Sequence, residues 1–277
     1  MKPKIVAHCL IKNEERFIWY ALQSVLPYVD RIMVWDTGST DKTVDIVNSI
    51  KSKKIDFKQV VQKDADSFTV MRQQMLDATP KNFTWIMILD GDEVWPKKSI
   101  QQATDFARQH PDHDSIVVRT HNLVGDIYHA LPESAGRYTL AGHTGHLALR
   151  FMNRQTIPGL NANRPHGQQG YFDDQGTLIQ DRDPEKIKFL DLYYHHATHL
   201  QRSSVDKQTL KRAFKRKIEW GRTIPRSWIP QVFFTTKPAL VPDVTAKASP
   251  FFRFRALIIE PFKILKRTLL PSSKTGY

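Results

Sequence analysis

Three carboxylates, Asp90, Asp92 and Glu93, follow the apolar run Trp85-Ile86-Met87-Ile88-Leu89, with only Gly91 among them. Like charges this close raise one another's pKa and cost stability unless a cation or a task holds them in place. Two carboxylates one residue apart can project to the same side of an extended segment. Together they suit a hard divalent cation, Mn2+ or Mg2+, that keeps open positions for phosphate oxygens. A solvated turn could carry the same pair. The apolar strand ahead of it is what gives the pair weight, because ligands of open α/β sheets collect beyond the carboxyl ends of the strands. A second cluster, "DTGSTDKT" (36–43), follows the apolar stretch 31–35. Gly38 permits a tight turn, Asp36 stands where it can accept hydrogen bonds from a base or ribose, and Ser39 or Thr40 can cap the next helix.

The elements that must position these residues alternate along the first hundred positions. Strand-like "KIVAHCL" (4–10), "RIMVW" (31–35), "IDFKQVV" (55–61) and the acidic strand 84–89 are separated by helical spacing over 13–27, after Thr43, and over 68–78. Such alternation predicts an α/β fold with a mostly parallel central sheet flanked by helices. Residues 120–200 are irregular and rich in Gly, His, Asn and Tyr, with short strands at 116–120, 146–152 and 189–194. They read as the acceptor-facing half of a site built from loops. "SSVDKQTLKRAFKRKIEWG" (203–221) has a capping pattern, apolar Leu210, Phe214 and Ile218, and a Gly stop, and predicts a helix.

With 277 residues and 40% hydrophobic side chains, the chain can bury a sizeable core. Its single cysteine, Cys9, rules out an internal disulfide framework and suits a reducing cytosol. The short apolar run after Lys4 does not read as a signal peptide, and no stretch has the ~18 uninterrupted apolar residues of a membrane span. Residues 201–277 hold 17 Lys/Arg against 4 Asp/Glu, the whole of the net charge of +13. A neutral body followed by a basic end implies an anionic partner for that end. No nucleic-acid motif accompanies the charge, which argues against RNA or DNA. In 251–270, aromatic and aliphatic residues alternate with Arg253, Arg255, Lys263, Lys266 and Arg267, a composition suited to an anionic membrane surface, with Pro261 expected to kink it.

"LIKNEERF", "VDRIMVWDTGSTDKT", "FTVMRQQML" and "WIMILDGDE" resemble, in order and spacing, the successive motifs of a family 2 glycosyltransferase with the GT-A fold. The likeness spans residues 4 to about 96 and is nearest to the bacterial branch that builds lipopolysaccharide-type and other surface glycans. It implies that Cys9, Leu10, Glu14 and Glu15 line a nucleotide pocket, that Asp36 contacts the nucleoside, and that Arg72 supports the donor. It implies too that Asp90 and Asp92 bind the Mn2+ or Mg2+ that grips the donor diphosphate. "LRFMNR" (149–154) matches a family segment often followed by a His-Glu pair, but here His166 is followed by Gly167. The general base is therefore open among Glu93, Asp173 and Asp174. A third metal ligand is expected from His166, His195 or His196. The His195-x3-His199 spacing could hold zinc, but no Glu stands where the zinc-protease motif needs one.

The expected division is a GT-A-like domain over 1–222, with a nucleotide-binding half (1–98) and an acceptor half (99–222), and a basic, helical C-terminal extension over 223–277. The expected activity is inverting, metal-dependent transfer of a sugar from a nucleotide-diphosphate sugar, UDP first, to a hydroxyl of a glycan or lipid-linked acceptor. The expected location is the cytoplasm, with a peripheral hold on the inner face of the plasma membrane. Two alternatives are a sugar nucleotidyltransferase, which would normally carry a Gly-rich phosphate loop that "HCLIKNEERF" lacks, and a non-catalytic basic protein that binds anionic surfaces.

Overall fold

The computed structural model describes residues 2–60, 67–165, 168–206 and 217–269. Eight strands form one sheet: β1 (Ile5–Ile11), β2 (Arg31–Asp36), β3 (Ile55–Gln59), β4 (Trp85–Ile88), β5 (Glu93–Val94), β6 (Ser115–Asn122), β7 (Leu147–Asn153) and β8 (Ile187–His196). Their order is β3-β2-β1-β4-β7-β6-β8-β5. The first four are mutually parallel. β7 enters antiparallel between β4 and β6, β8 runs parallel to β6, and the short β5 pairs antiparallel with the end of β8.

The apolar runs of β1, β2 and β4 follow from burial on both sheet faces. Ile5, Ala7, Cys9 and Ile11 point into one core, with residues of helices α1 (Ile18–Val25), α2 (Thr43–Ser49) and α4 (Lys97–Gln109). Val6 points the other way, with Met33, Trp35, Ile86 and Ile88, against Met75 and Leu76 of α3 (Ser67–Ala78). Ile224, Ile229, Phe233, Val241 and Val244, from the expected C-terminal extension, also lie in the first core. Tyr20 and Tyr128 donate to the carbonyls of Pro242 and Thr245 there, both at 2.9 Å. The stretch after residue 222 is thus packed into the body before helix α5 (Pro250–Leu269) begins.

Several local expectations change. Helix α2 starts after Lys42 without a side-chain cap. Ser39 and Thr40 instead serve the preceding loop, whose hydrogen bonds outcompete capping. Helix α5 runs through Pro261. Most of the helix expected over 203–221 lies outside the described residues, and its described ends, 203–206 and 217–221, are not α-helical.

His8, buried in β1, bonds Thr79 Oγ1 through Nε2 at 2.7 Å. Burial, then the charges of Arg72 and Arg154, lower its pKa to about 3. The unfolded chain takes up this proton near pH 6.5 while the folded chain refuses it, so stability falls as pH drops below about 6.5. His8→Gln should reduce the stability lost between about pH 6.5 and pH 5 by about 1.5 kcal/mol, read from urea unfolding at the two pH values.

Candidate functional site

The site is assembled where β1, β2 and β4 end. After β4 the chain turns at once: Leu89 N–H donates to His8 O and Glu93 N–H to Asp90 O, both at 3.0 Å. Gly91 is required at the turn, because a Cβ there would lie 2.8 Å from Glu14 Cγ and 3.0 Å from Ile11 Cγ2. The turn leaves Asp90 about one-third exposed and buries Asp92 and Glu93.

Pairing of β5 with β8 sets His196 opposite Glu93, and Ala197 N–H donates to Asp92 O at 2.9 Å. Asp90, Glu93 and His196 thereby offer three ligand atoms within 4.8 Å of one another. Asp92 Oδ2 lies 3.4 Å from His196 Nε2, the separation that two donors of one cation keep at bond lengths of ~2.2 Å. Carboxylates with an imidazole suit a divalent first-row ion such as Mn2+, and Mg2+ less well. The residues therefore fit a metal. His195, one position earlier on β8, points to the opposite face. Its ring is fully buried, 5.2 Å from that of His121 and 6.3 Å from that of Phe233. Sequence spacing alone could not decide between the two histidines. His166 lies outside the described residues.

Burying these acids requires cations, and three arginines from distant segments supply them. Arg150 pairs with Glu93 and lies 3.7 Å from Asp90. It occupies a bulge between Leu149 and Phe151, where the register of β7 shifts, and such an irregularity re-aims a side chain. Its Nε donates to Tyr194 Oη at 3.2 Å. Arg202 bridges Asp92 at 2.8 Å and Glu14 at 3.1 Å. Arg72 lies 3.8 Å from Asp90 and donates to Tyr171 Oη at 3.2 Å.

Opposite shifts follow within one turn. Burial pushes the Glu93 carboxyl up to about 7, and Arg150 only partly offsets this. Burial would raise Asp92 as well, but Arg202 and His196 outweigh it and hold Asp92 below the usual carboxylate range. His196, partly buried at the cleft, is raised by Asp92, which outweighs the opposing effect of burial.

The loops beside this cluster lock each other. Asp36 is buried and accepts from Gly38 N–H at 3.1 Å, from Ser39 N–H at 3.0 Å, and from the Ser39 hydroxyl. Gly38 has φ +96, which suits this turn. Asn13 N–H donates to Ser39 Oγ at 2.7 Å, and Asn13 Oδ1 accepts from Thr40 N–H at 2.7 Å. Glu15 accepts from the N–H groups of Lys42 at 3.1 Å and Ser204 at 2.5 Å. Asp36, Glu14 and Glu15 thus tie the loops behind the cluster together, and none of the three lines the cleft that opens beside it. Cys9 faces the apolar core, where burial raises its thiol pKa. Leu10 is half-buried against the opposite core.

A cleft of about 500 Å³ opens beside the cluster, lined by Arg72, Asp90, Arg150, Tyr194 and His196 on one side and by Arg137, His146 and Lys217 among others. Among the described residues lining it, Asp90 is the one carboxylate. Asp173 lies elsewhere, buried and paired with Arg182, and accepts from Gln175 and Thr177 N–H groups at 3.0 and 2.8 Å. Asp174 is exposed beside Gly159. Neither lines the cleft.

A family model described as Glycosyl transferase family 2 matches residues 10–172, more than half of the chain. The chain belongs to glycosyl transferase family 2. Its mostly parallel sheet between helices, with a helix in the C-terminal part, is the GT-A-like α/β class expected from the sequence. The SPbeta prophage-derived glycosyltransferase SunS of Bacillus subtilis (strain 168) is 29% identical over 109 residues, 38% of this chain. That match spans 24% of the length of the curated relative. Among solved structures, S. aureus TarS 1-349 is 16% identical with a TM-score of 0.44, covering 80% of this chain and 67% of that one. Glucosyl-3-phosphoglycerate synthase from Mycobacterium tuberculosis, in complex with Mn2+, UDP-glucose and phosphoglyceric acid, is 16% identical with a TM-score of 0.46, covering 77% and 79%.

His196 and Arg202 of this family 2 chain lie beyond the matched segment, yet both complete the cluster. Both occur in "YYHHATHLQRS", but only the tertiary pairing of β5 with β8 shows what they meet. Arg202→Ala would remove the guanidinium that Asp92 and Glu14 share in the interior and leave His196 beside Asp92. It should cost about 3–5 kcal/mol of unfolding free energy, read from urea titration.

Proposed function

We propose that this chain is a metal-dependent glycosyltransferase that moves a sugar from a nucleotide-diphosphate sugar, UDP first, to a hydroxyl of a surface glycan or lipid-linked acceptor. The observation that carries the reading is the convergence of acidic and imidazole donors at the edge of a cleft that also presents Arg72 and Arg150. In this reading Asp90 and His196, which line the cleft, hold Mn2+ or Mg2+ together with Asp92, whose Oδ2 lies 3.4 Å from His196 Nε2. The ion, when bound, neutralises negative charge on the donor diphosphate.

The chain's own residues do the remainder. Arg72 and Arg150 lie within 4 Å of Asp90 and offer cationic donors to the leaving phosphates, whose charge grows as the sugar departs. Asp36 and the interlocked 13–15 and 36–43 loops form the nucleoside side of the site. Arg202, by fixing Asp92 and Glu14, keeps the ends of β4 and β1 in register with that side.

In transfer with inversion, the acceptor oxygen bonds to the anomeric carbon as that carbon's bond to the diphosphate oxygen breaks. The electron pair leaves with the phosphate, and the acceptor proton needs a base. Glu93 is the base of this reading. It accepts from Asp90 N–H at 3.3 Å, and burial sets it near 7, the range in which a base is both available and effective near neutral pH. Glu93 does not line the cleft itself but is joined to Asp90, which does, whereas Asp173 is held by Arg182 and Asp174 stands beside Gly159, both away from the cluster. Cytoplasmic placement, with acceptors reached at the inner face of the plasma membrane, belongs to the same proposal.

Calorimetric titration with UDP tests the metal assignment. Mn2+ should tighten UDP binding at least about tenfold, and His196→Ala should abolish that gain while His195→Phe keeps it, since the two side chains occupy opposite faces of β8. Equal binding of UDP, GDP and dTDP with and without Mn2+ would remove the reading. Glu93→Gln should lower kcat by about 100-fold or more with little change in UDP affinity.

A further inference from the structure

Helix α5 lies on the body with its polarity reversed. Its inward side carries charge: Arg253 lies 3.9 Å from Asp126, Lys263 lies 3.4 Å from Glu219, and Arg267 lies 2.7 Å from Glu219. Both acceptor carboxylates are fully buried. Glu260 accepts from Trp220 N–H at 2.8 Å, and Phe252 approaches Gly125 on the same side.

The outward side is apolar. Phe251, Phe254, Ile258, Phe262, Leu265 and Leu269 recur at spacings of three and four, which places them on one stripe of the helix. All six are more than half exposed, up to 72% at Phe262. Arg255 and Lys266, also exposed, flank the stripe. A water-facing helix ordinarily does the reverse, and a continuous apolar stripe of this size marks a surface that meets something.

We propose that α5 seats the protein in the plane of an anionic bilayer, with this stripe among the acyl chains and Arg255 and Lys266 at the headgroups. Six charged side chains within the helix's 20 residues suit lying along a membrane and bar crossing it. Among the described residues, no helix is long and apolar enough to span. Arg255 and Lys266, exposed beside the stripe, complement anionic lipid, and they belong to a segment, 201–277, that holds 17 Lys/Arg against 4 Asp/Glu. The charged inner side fixes the helix to the body while the apolar side stays available.

The same attachment ties the membrane surface to the cleft. Lys217 lines the cleft, and Glu219, two residues on, holds Lys263 and Arg267. A docked helix thereby keeps that cleft wall beside the lipid surface. That it does so for lipid-borne acceptors rests on the glycosyltransferase reading above; the docking itself does not.

Vesicle flotation of the full chain tests the docking without reference to activity. The protein should float with vesicles of phosphatidylglycerol and phosphatidylcholine in equal parts and stay behind with phosphatidylcholine alone. The triple variant Phe254→Ser, Phe262→Ser, Leu265→Ser should bind at least about tenfold less, with an unchanged Tm. Should that variant unfold, Arg255→Glu with Lys266→Glu takes its place and should lose the phosphatidylglycerol binding. The proposal is overturned if the wild type ignores both vesicles or binds both equally. Variants that bind like the wild type overturn it too. So does a wild-type dimer that fails to float and that the stripe substitutions dissociate, since the stripe would then be a self-association face. A chain that floats as expected but shows no metal-dependent UDP binding would leave the docking standing and defeat the catalytic reading alone.

Discussion

Burial of negative charge at the end of β4 is the constraint around which the molecule is organised. Glu14, Asp92 and Glu93 are almost wholly removed from water, and Asp90 stands at their edge. Uncompensated, such a group would neutralise itself by taking up protons or would open the fold. Arg72, Arg150 and Arg202 supply compensating charge from α3, from the bulge of β7, and from the chain after β8. Segments more than a hundred residues apart, such as Asp92 and Arg202, therefore have to meet for the site to exist. Stability and site geometry are the same problem here.

Division of labour among the acids follows from that compensation. Asp92 receives Arg202 and His196 and is held firmly ionised. Glu93 has Arg150, but burial outweighs it and pushes the carboxyl up to about 7. Asp90, with two arginines just under 4 Å away and a partly open side chain, is the one that borders the cleft. Carboxylates adjacent in sequence thus acquire different chemical characters through the partners each is given. The loops at 13–15 and 36–43 act one step behind, cross-linking through Asn13, Glu15, Ser39 and Asp36 so that neither side of the site can shift independently.

Much of the architecture was legible in the chain because it depends on local patterns. Apolar runs such as "RIMVW" and "WIMIL" give strands buried on both faces, and their alternation with helical spacing gives a parallel sheet whose strand ends carry Asp36 and Asp90. The order of the four motifs led to the family that the family model also matches over residues 10–172. What escaped was whatever depends on pairing at long range. Helix α4 was not anticipated. Ser39 and Thr40, read as helix caps, serve the loop instead, and the apolar residues at 224–244 join the main core although the composition there suggested an appendage.

The sequence by itself determined the acids, their place after a core strand, and a basic end with an apolar stripe, since these are properties of residue type and spacing. Tertiary structure decided the rest. Side chains alternate across a strand, so the register of β5 against β8, which no local signal encodes, sends His196 to the acids and His195 to the apolar face. The same holds for α5. Its amphipathic pattern was visible along the chain, but only the buried carboxylates of Asp126 and Glu219 settle which side turns inward. They draw the cations to the body and leave the apolar stripe facing out.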